Sequence, residues 1–88
     1  MTEKELEKVL KSLANRRRLS ILKFLKRQKE ASVGEIAEEI KLSFKATSKH
    51  LGVLANAGLI DREQRSLQMY YSFIPNMPEA ARRIVTLL

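Results

Sequence analysis

Between Ile40 and Ile60 the chain carries no aspartate or glutamate, while Lys41, Lys45 and Lys49 recur every four residues. Lysines four apart on a helix repel one another by roughly 0.2–0.5 kcal/mol per pair. An anionic partner would recover that cost, and a phosphate backbone is the partner whose charge density fits. A lysine can donate to guanine O6 and N7, and a serine hydroxyl can donate or accept at a base edge. The only histidine, His50, lies in the same stretch. A general base needs a nucleophile and an orienting group, and no carboxylate is near it in sequence, so packing or phosphate contact is the expectation for His50 rather than catalysis.

The remaining composition narrows the chemistry further. There is no cysteine among the 88 residues, which excludes disulfides, thiolate zinc sites, iron–sulfur clusters and thiol redox switching. One histidine cannot build an imidazole metal site. Apolar runs are short and the first residues are highly charged, so neither a membrane span nor a signal-peptide core is expected and the protein reads as cytoplasmic. A net charge of +7 and a pI near 10.1 suggest a polyanion partner. The charge is sorted along the chain, because the interval from Glu7 to Glu30 is also free of acids and holds Arg16, Arg17 and Arg18. That triplet falls at a helix start, where positive charge opposes the macrodipole. Phosphate, or Glu3, Glu5 and Glu7, are the partners it could find.

Helix punctuation shows which elements must position these residues. Thr2 with Glu5 and Ser32 with Glu35 have capping-box spacing, while Asn15 and Ser43 are N-cap residue types. Helices are therefore expected to open at these four points, with Gly58 closing the fourth. The third and fourth, joined by a few residues, make a helix-turn-helix. Strand formers at Leu59–Ile60 and Met69–Phe73 bracket a polar run, which predicts a hairpin. With no glycine or Asn-Gly to mark its turn, a loop longer than two residues is expected. Asn76 as N-cap, Pro78 and Glu79 open a last helix running to Leu88.

Within the fourth helix, Thr47, Leu51, Leu54 and Gly58 follow one stripe that should face the core. Lys45, Ser48, Lys49, Gly52 and Asn56 fall on the opposite face. Gly52 weakens a helix by about 1 kcal/mol relative to alanine, which suggests a close approach by another helix or by DNA. Phe44 could meet a thymine methyl or pack on the preceding helix, and both readings stay open. Candidate DNA contacts are Lys41, Ser43, Phe44, Lys45, Thr47, Ser48, Lys49 and His50. Arg62, Arg65 and Gln68 of the hairpin join them as backbone or minor-groove contacts. The alternative for these arginines is a solvated hairpin, because Asp61 and Glu63 can pair with them.

The order helix, helix, helix-turn-helix, hairpin, helix is that of a winged helix, mainly α with a small β component (α+β). The segments Leu13-Ala14-Asn15-Arg16-Arg17-Arg18-Leu19-Ser20-Ile21-Leu22, Ile36-Ala37-Glu38, Leu42-Ser43 through Ser48-Lys49-His50-Leu51-Gly52-Val53-Leu54, Ala57-Gly58-Leu59-Ile60 and Tyr70-Tyr71 resemble the arsenic-repressor-like (ArsR-type) regulators. The resemblance runs from about Leu6 to Phe73. It implies a homodimer on operator DNA, with the hairpin as wing and the first and last helices as interface. Arg18 matches an arginine that recurs in the family's second helix, whereas Asn15 and Arg16 replace its usual Asp-Pro. Many relatives sense soft metals through two cysteines at the start of the third helix, and here Ser32 and Gly34 stand there. A second family site uses histidines and carboxylates on the last helix, which offers only Glu79. The resemblance thus carries over DNA binding and dimerisation but not metal sensing.

Met77, Ala80, Ala81, Ile84, Val85 and Leu88 make one side of the last helix apolar. With Leu6, Val9 and Leu10 of the first helix, Met77, Ala81, Ile84, Val85 and Leu88 form the expected dimer interface. The alternative is that the two helices pack on each other within a monomer. The reading is one winged-helix domain over residues 1–88, with terminal helices over 2–13 and 77–88. It is expected to be a homodimeric, metal-independent, non-enzymatic regulator of transcription, acting as a repressor on a pseudo-palindromic double-stranded DNA site. A winged helix used as a protein-interaction module, or a nonspecific nucleoid-coating protein, are the other readings.

Overall fold

A computed structural model describes all 88 residues. In chain order the elements are α1 (Glu3–Leu13), α2 (Arg16–Gln28), β1 (Glu30–Ser32), α3 (Val33–Ile40), α4 (Phe44–Asn56), β2 (Ile60–Arg65), β3 (Gln68–Phe73) and α5 (Glu79–Thr86). The arrangement is a winged helix-turn-helix. The first four helices start where side-chain caps supply acceptors for otherwise orphaned N–H groups. Thr2 and Ser32 make reciprocal capping boxes with Glu5 and Glu35, and Asn15 and Ser43 accept from the N–H of Arg18 and Ala46.

The end of α4 is a Schellman turn. Gly58 takes φ 81°, Leu59 N–H bonds to Leu54 O at 3.1 Å and Gly58 N–H to Ala55 O at 3.0 Å. The end of α3 repeats that pattern without glycine: Lys41 takes φ 54°, and Leu42 N–H bonds to Ala37 O at 3.0 Å. A lysine held in the left-handed region costs about 1 kcal/mol, so the turn of the helix-turn-helix keeps a cation where glycine would be easier.

The core lies between α2, α3, α4 and the sheet. Ile21, Leu22, Leu25, Ile36, Leu51, Leu54, Leu59 and Ile60 are all essentially sealed from solvent. Fully burying each such side chain contributes roughly 1.5–3 kcal/mol, so this cluster fixes how α4 is presented.

Four local expectations differ from the structure. The hairpin turn has two residues, since Arg65 pairs directly with Gln68. Ser66 supplies the positive φ, 57°, and its carbonyl accepts from the Gln64 side chain at 3.0 Å, so no glycine is required. The three-residue strand β1 was not anticipated. It adds antiparallel to the free edge of β3, with Glu30 opposite Ser72 and Ser32 opposite Tyr70, giving the sheet order β1-β3-β2. Glu-Ala-Ser has no strand character of its own, and the open edge of β3 recruits it. The last helix begins at Glu79 rather than 77, because a residue before proline is driven out of the helical region and Met77 precedes Pro78.

The last correction concerns the terminal helices. Val9, Met77, Ala81 and Val85 are at most 8% exposed and belong to the protomer's own core. Packing within the protomer leaves them little surface for a partner. Leu6 and Leu10 stay exposed at 37% and 49%, and Leu87, which the helical pattern did not single out, is 80% exposed. Ile84 and Leu88 are half-buried at the margin.

Candidate nucleic-acid interface

The outer face of α4 is built by exclusion. Thr47, Leu51 and Leu54 anchor the helix in the core, and the polar and small residues left outside are Lys45, Lys49, Gly52 and Asn56, all exposed, with Ser48 half-exposed beside them and Phe44 and Val53 also exposed. No carboxylate bonds either lysine, so the sign of the face is unopposed. Thr47 is therefore corrected from DNA contact to anchor: it is fully buried, and its Oγ1 has no hydrogen-bond partner. A hydroxyl so placed costs stability and cannot reach a ligand. Gly52 has no atom within 4 Å of where a Cβ would stand. Close approach by another helix of this protomer is thus not its reason, and the space stays open to a second molecule.

At the start of α4, Ser43 is exposed and spends its side chain on the cap. Phe44 is 63% exposed, so it does not bury itself on the preceding helix. It stands at the mouth of a cleft shared with Val33, Leu67 and Tyr70. Lys41 is exposed in the turn just before.

His50 faces inward across the helix flank. Its Nδ1 lies 3.2 Å from Arg18 Nη1, a geometry that suits an unprotonated ring nitrogen accepting from the guanidinium. Burial, and then the charges of Arg18 and Arg17, push its pKa below the usual histidine value. His50 is therefore a neutral contact between α2 and α4, and the expectation that it reaches phosphate does not hold for this geometry.

The arginine triplet finds partners that the sequence did not suggest. Arg17 donates to the carbonyls of Ile40 and Lys41 at the end of α3. Arg18 donates to Ser12 O at 2.6 Å and Lys11 O at 3.0 Å at the end of α1. Lys26, on the same helix, reaches Val85 O at 3.3 Å and Thr86 O at 3.4 Å at the end of α5. Three cations of α2 thus cap the negative poles of three other helices. Neither phosphate nor Glu3, Glu5 and Glu7 is needed to account for Arg17 and Arg18. No local signal could reveal this, since each carbonyl partner is brought in by tertiary packing.

The wing is organised differently. Register places Glu63, Arg65, Tyr70 and Glu30 on one face of the sheet. Arg65 bonds both carboxylate oxygens of Glu30, at 2.7 and 2.8 Å, and Glu63 Oε1 at 2.7 Å. Its guanidinium also lies 4.7 Å from the centroid of the Tyr70 ring. These bonds raise the Arg65 pKa and hold the Glu30 carboxyl below its ordinary value. In the free protein Arg65 clamps the hairpin onto β1, with its side chain still 44% exposed. Arg62 has no side-chain partner and is exposed, as is Gln68, and Leu67 at the tip is 95% exposed.

The model of the bacterial regulatory protein, arsR family, matches residues 15–62, which spans α2, the helix-turn-helix and the start of the wing. The chain is 39% identical over 64 residues to the transcriptional activator HlyU of Vibrio cholerae, covering 73% of this chain and 58% of that protein. It thus spans less than two thirds of that relative's length. It is 36% identical over 80 residues to the HTH-type transcriptional regulator YgaV of Escherichia coli, covering 91% of this chain and 78% of that one. Among solved structures, a homodimeric winged helix-turn-helix DNA-binding domain from Mycobacterium bovis superimposes with a TM-score of 0.80 at 31% identity. That match covers 96% of this chain and 74% of the other. The family model covers more than half of the chain, and the chain belongs to the arsR family of bacterial regulatory proteins.

Proposed function

We propose that the protein is a sequence-specific, double-stranded-DNA-binding transcriptional regulator that acts as a homodimer, without a metal, by obstructing polymerase at its operator. The observation that carries this reading is the unopposed face of α4. Lys45, Ser48 and Lys49 project from a helix seated by the buried Leu51 and Leu54, with the exposed Lys41 in the turn before it and the exposed Arg62 in strand β2 after it. In this arrangement Lys45 and Ser48 meet base edges near the helix start, where a recognition helix enters the major groove. Lys41, Lys49 and Arg62 neutralise phosphate, Phe44 offers an apolar surface to a thymine methyl, and Ser43 and Gln68 lie at the edges of the contact.

Dimerisation is supported by the exposed Leu6 and Leu10, which with Ala14 form an apolar strip on α1 flanked by Glu3, Glu7 and Lys11, and by the exposed Leu87 of the C-terminus. The homodimeric state of the M. bovis domain supports the same assembly. A two-fold axis there sets the recognition helices about one DNA turn apart and so calls for a pseudo-palindrome. Independence from metal is supported by the donor set: the chain has no cysteine and one histidine, and Ser32 and Gly34 stand where soft-metal ligands would.

Selection of bound duplexes from a random pool, followed by salt titration of the winner against scrambled DNA, tests the reading. Enrichment of a two-fold-symmetric site, with binding unchanged by a chelator, is the expected result. A steep salt dependence with no preferred sequence would replace it with nonspecific coating, and absence of binding at low salt would end it.

A further inference from the structure

Capping does not account for all the positive charge of α2. Once Arg17, Arg18 and Lys26 are assigned to helix ends, Arg16, Lys23 and Arg27 remain, and with Ser20 they follow a spacing of four, three and four residues along one exposed face. That spacing is a single helical stripe, and at 1.5 Å per residue it runs for roughly 16 Å. Arg16 and Lys23 have no hydrogen-bond or ion-pair partner, while Arg27 meets Glu39 at 3.5 Å and lies 5.3 Å from the centroid of the Phe24 ring. The stripe forms one wall of a cleft of about 410 Å³ whose other wall is the end of α3 and Lys41. Five cations and one carboxylate line this cleft.

We propose that this ridge is a second DNA surface, which takes the backbone phosphates of the duplex flanking the half-site read by α4. Two observations select DNA as the occupant. Lys41, in the turn that leads into α4, lines the same cleft as the ridge, so the ridge adjoins the start of the proposed recognition helix. Its charge is also complementary to a strand that presents one phosphate about every 3.4 Å along the axis. In this reading the 13-residue α4 and the wing, two strands of six residues each, take the half-site itself, and the ridge extends the footprint outward from it. A free polyphosphate in the same cleft is the competing occupant. The inference rests on the DNA-binding reading above.

The test uses the selected operator in two lengths, one trimmed to the symmetric core and one extended by about ten base pairs on each side, with the exposed double variant R16A/K23A. The wild-type protein should bind the extended duplex more tightly and with a steeper salt slope. The variant should lose that advantage, its slope on the extended duplex falling by about 0.9 for each phosphate contact removed, while its binding to the trimmed duplex stays within twofold. Equal behaviour of wild type and variant on both lengths would make the ridge a solvated face and overturn the inference. Equal loss on both lengths would reduce it to a global charge effect, and saturable binding of free pyrophosphate lost in the variant would give the cleft to a small anion. If the wild type binds neither duplex, the DNA-binding reading fails first.

Discussion

The outer face of α4 and the outer face of the wing both carry cations, and they treat them in opposite ways. On α4, Lys45 and Lys49 stand without any carboxylate. On the sheet, Arg65 is enclosed by Glu30, Glu63 and the ring of Tyr70. The first arrangement leaves charge repulsion unrelieved within the protein and available to a partner. The second satisfies its charge within the protein, although exposed pairs of this kind contribute little to stability in water. Basic residues in one small protein therefore cannot be pooled into a single DNA-binding patch. Where the acids fall in three dimensions decides which cations are free.

The comparison can be broken at its strongest point by K45A/K49A. DNA affinity should fall on the order of 10–100-fold while thermal stability holds or rises slightly, because the lysine repulsion is removed; fluorescence anisotropy and a melting curve measure both. Discrimination against scrambled DNA should fall as well, since each base pair read by a good side-chain contact is worth about 1–3 kcal/mol. An undiminished operator preference would move specificity away from α4.

A smaller effect separates the two sides of the same helix. Thr47→Val replaces a buried, unpartnered hydroxyl by a methyl group and should raise stability by about 1 kcal/mol, with operator affinity unchanged. A drop in affinity would restore Thr47 as a contact residue.

In the wing the expectation is an asymmetry. R62A should weaken binding severalfold on every sequence and flatten the salt dependence. R65A should leave the salt slope nearly intact and instead speed amide exchange in β1 and the hairpin. Reversal of that order would show that the clamp opens to donate Arg65 to DNA.

The smallest effect belongs to the one histidine. His50 has a lowered pKa in the folded protein, so the unfolded chain binds the proton more readily. Its contribution to stability is complete above the unfolded value of about 6.5 and is lost as the pH falls toward the folded value. An NMR titration should give a single imidazole pKa below 6.5, and H50Q should flatten the stability profile between pH 7 and pH 5. A value at or above 6.5 would break the contact with Arg18.

Local chemistry determined a large part of this molecule. The capping residues at Thr2, Asn15, Ser32 and Ser43, and the glycine after α4, set where helices start and stop within a few residues, because a cap depends only on neighbours three or four positions away. The phase of α4 was legible for the same reason, as helical geometry places Lys45 opposite Leu51 whatever surrounds them. Tertiary structure alone decided the rest. Strand β1 exists because β3 has an edge to offer, Ser66 turns the hairpin within the sheet's register, and Val9, Ala81 and Val85 are core because α1 meets α5. The fates of Arg17, Arg18 and Arg65 depended on carbonyls and carboxylates distant in the chain. A sequence shows that a residue is charged, but its free energy depends on which opposite charges and dipoles folding brings within a few ångströms.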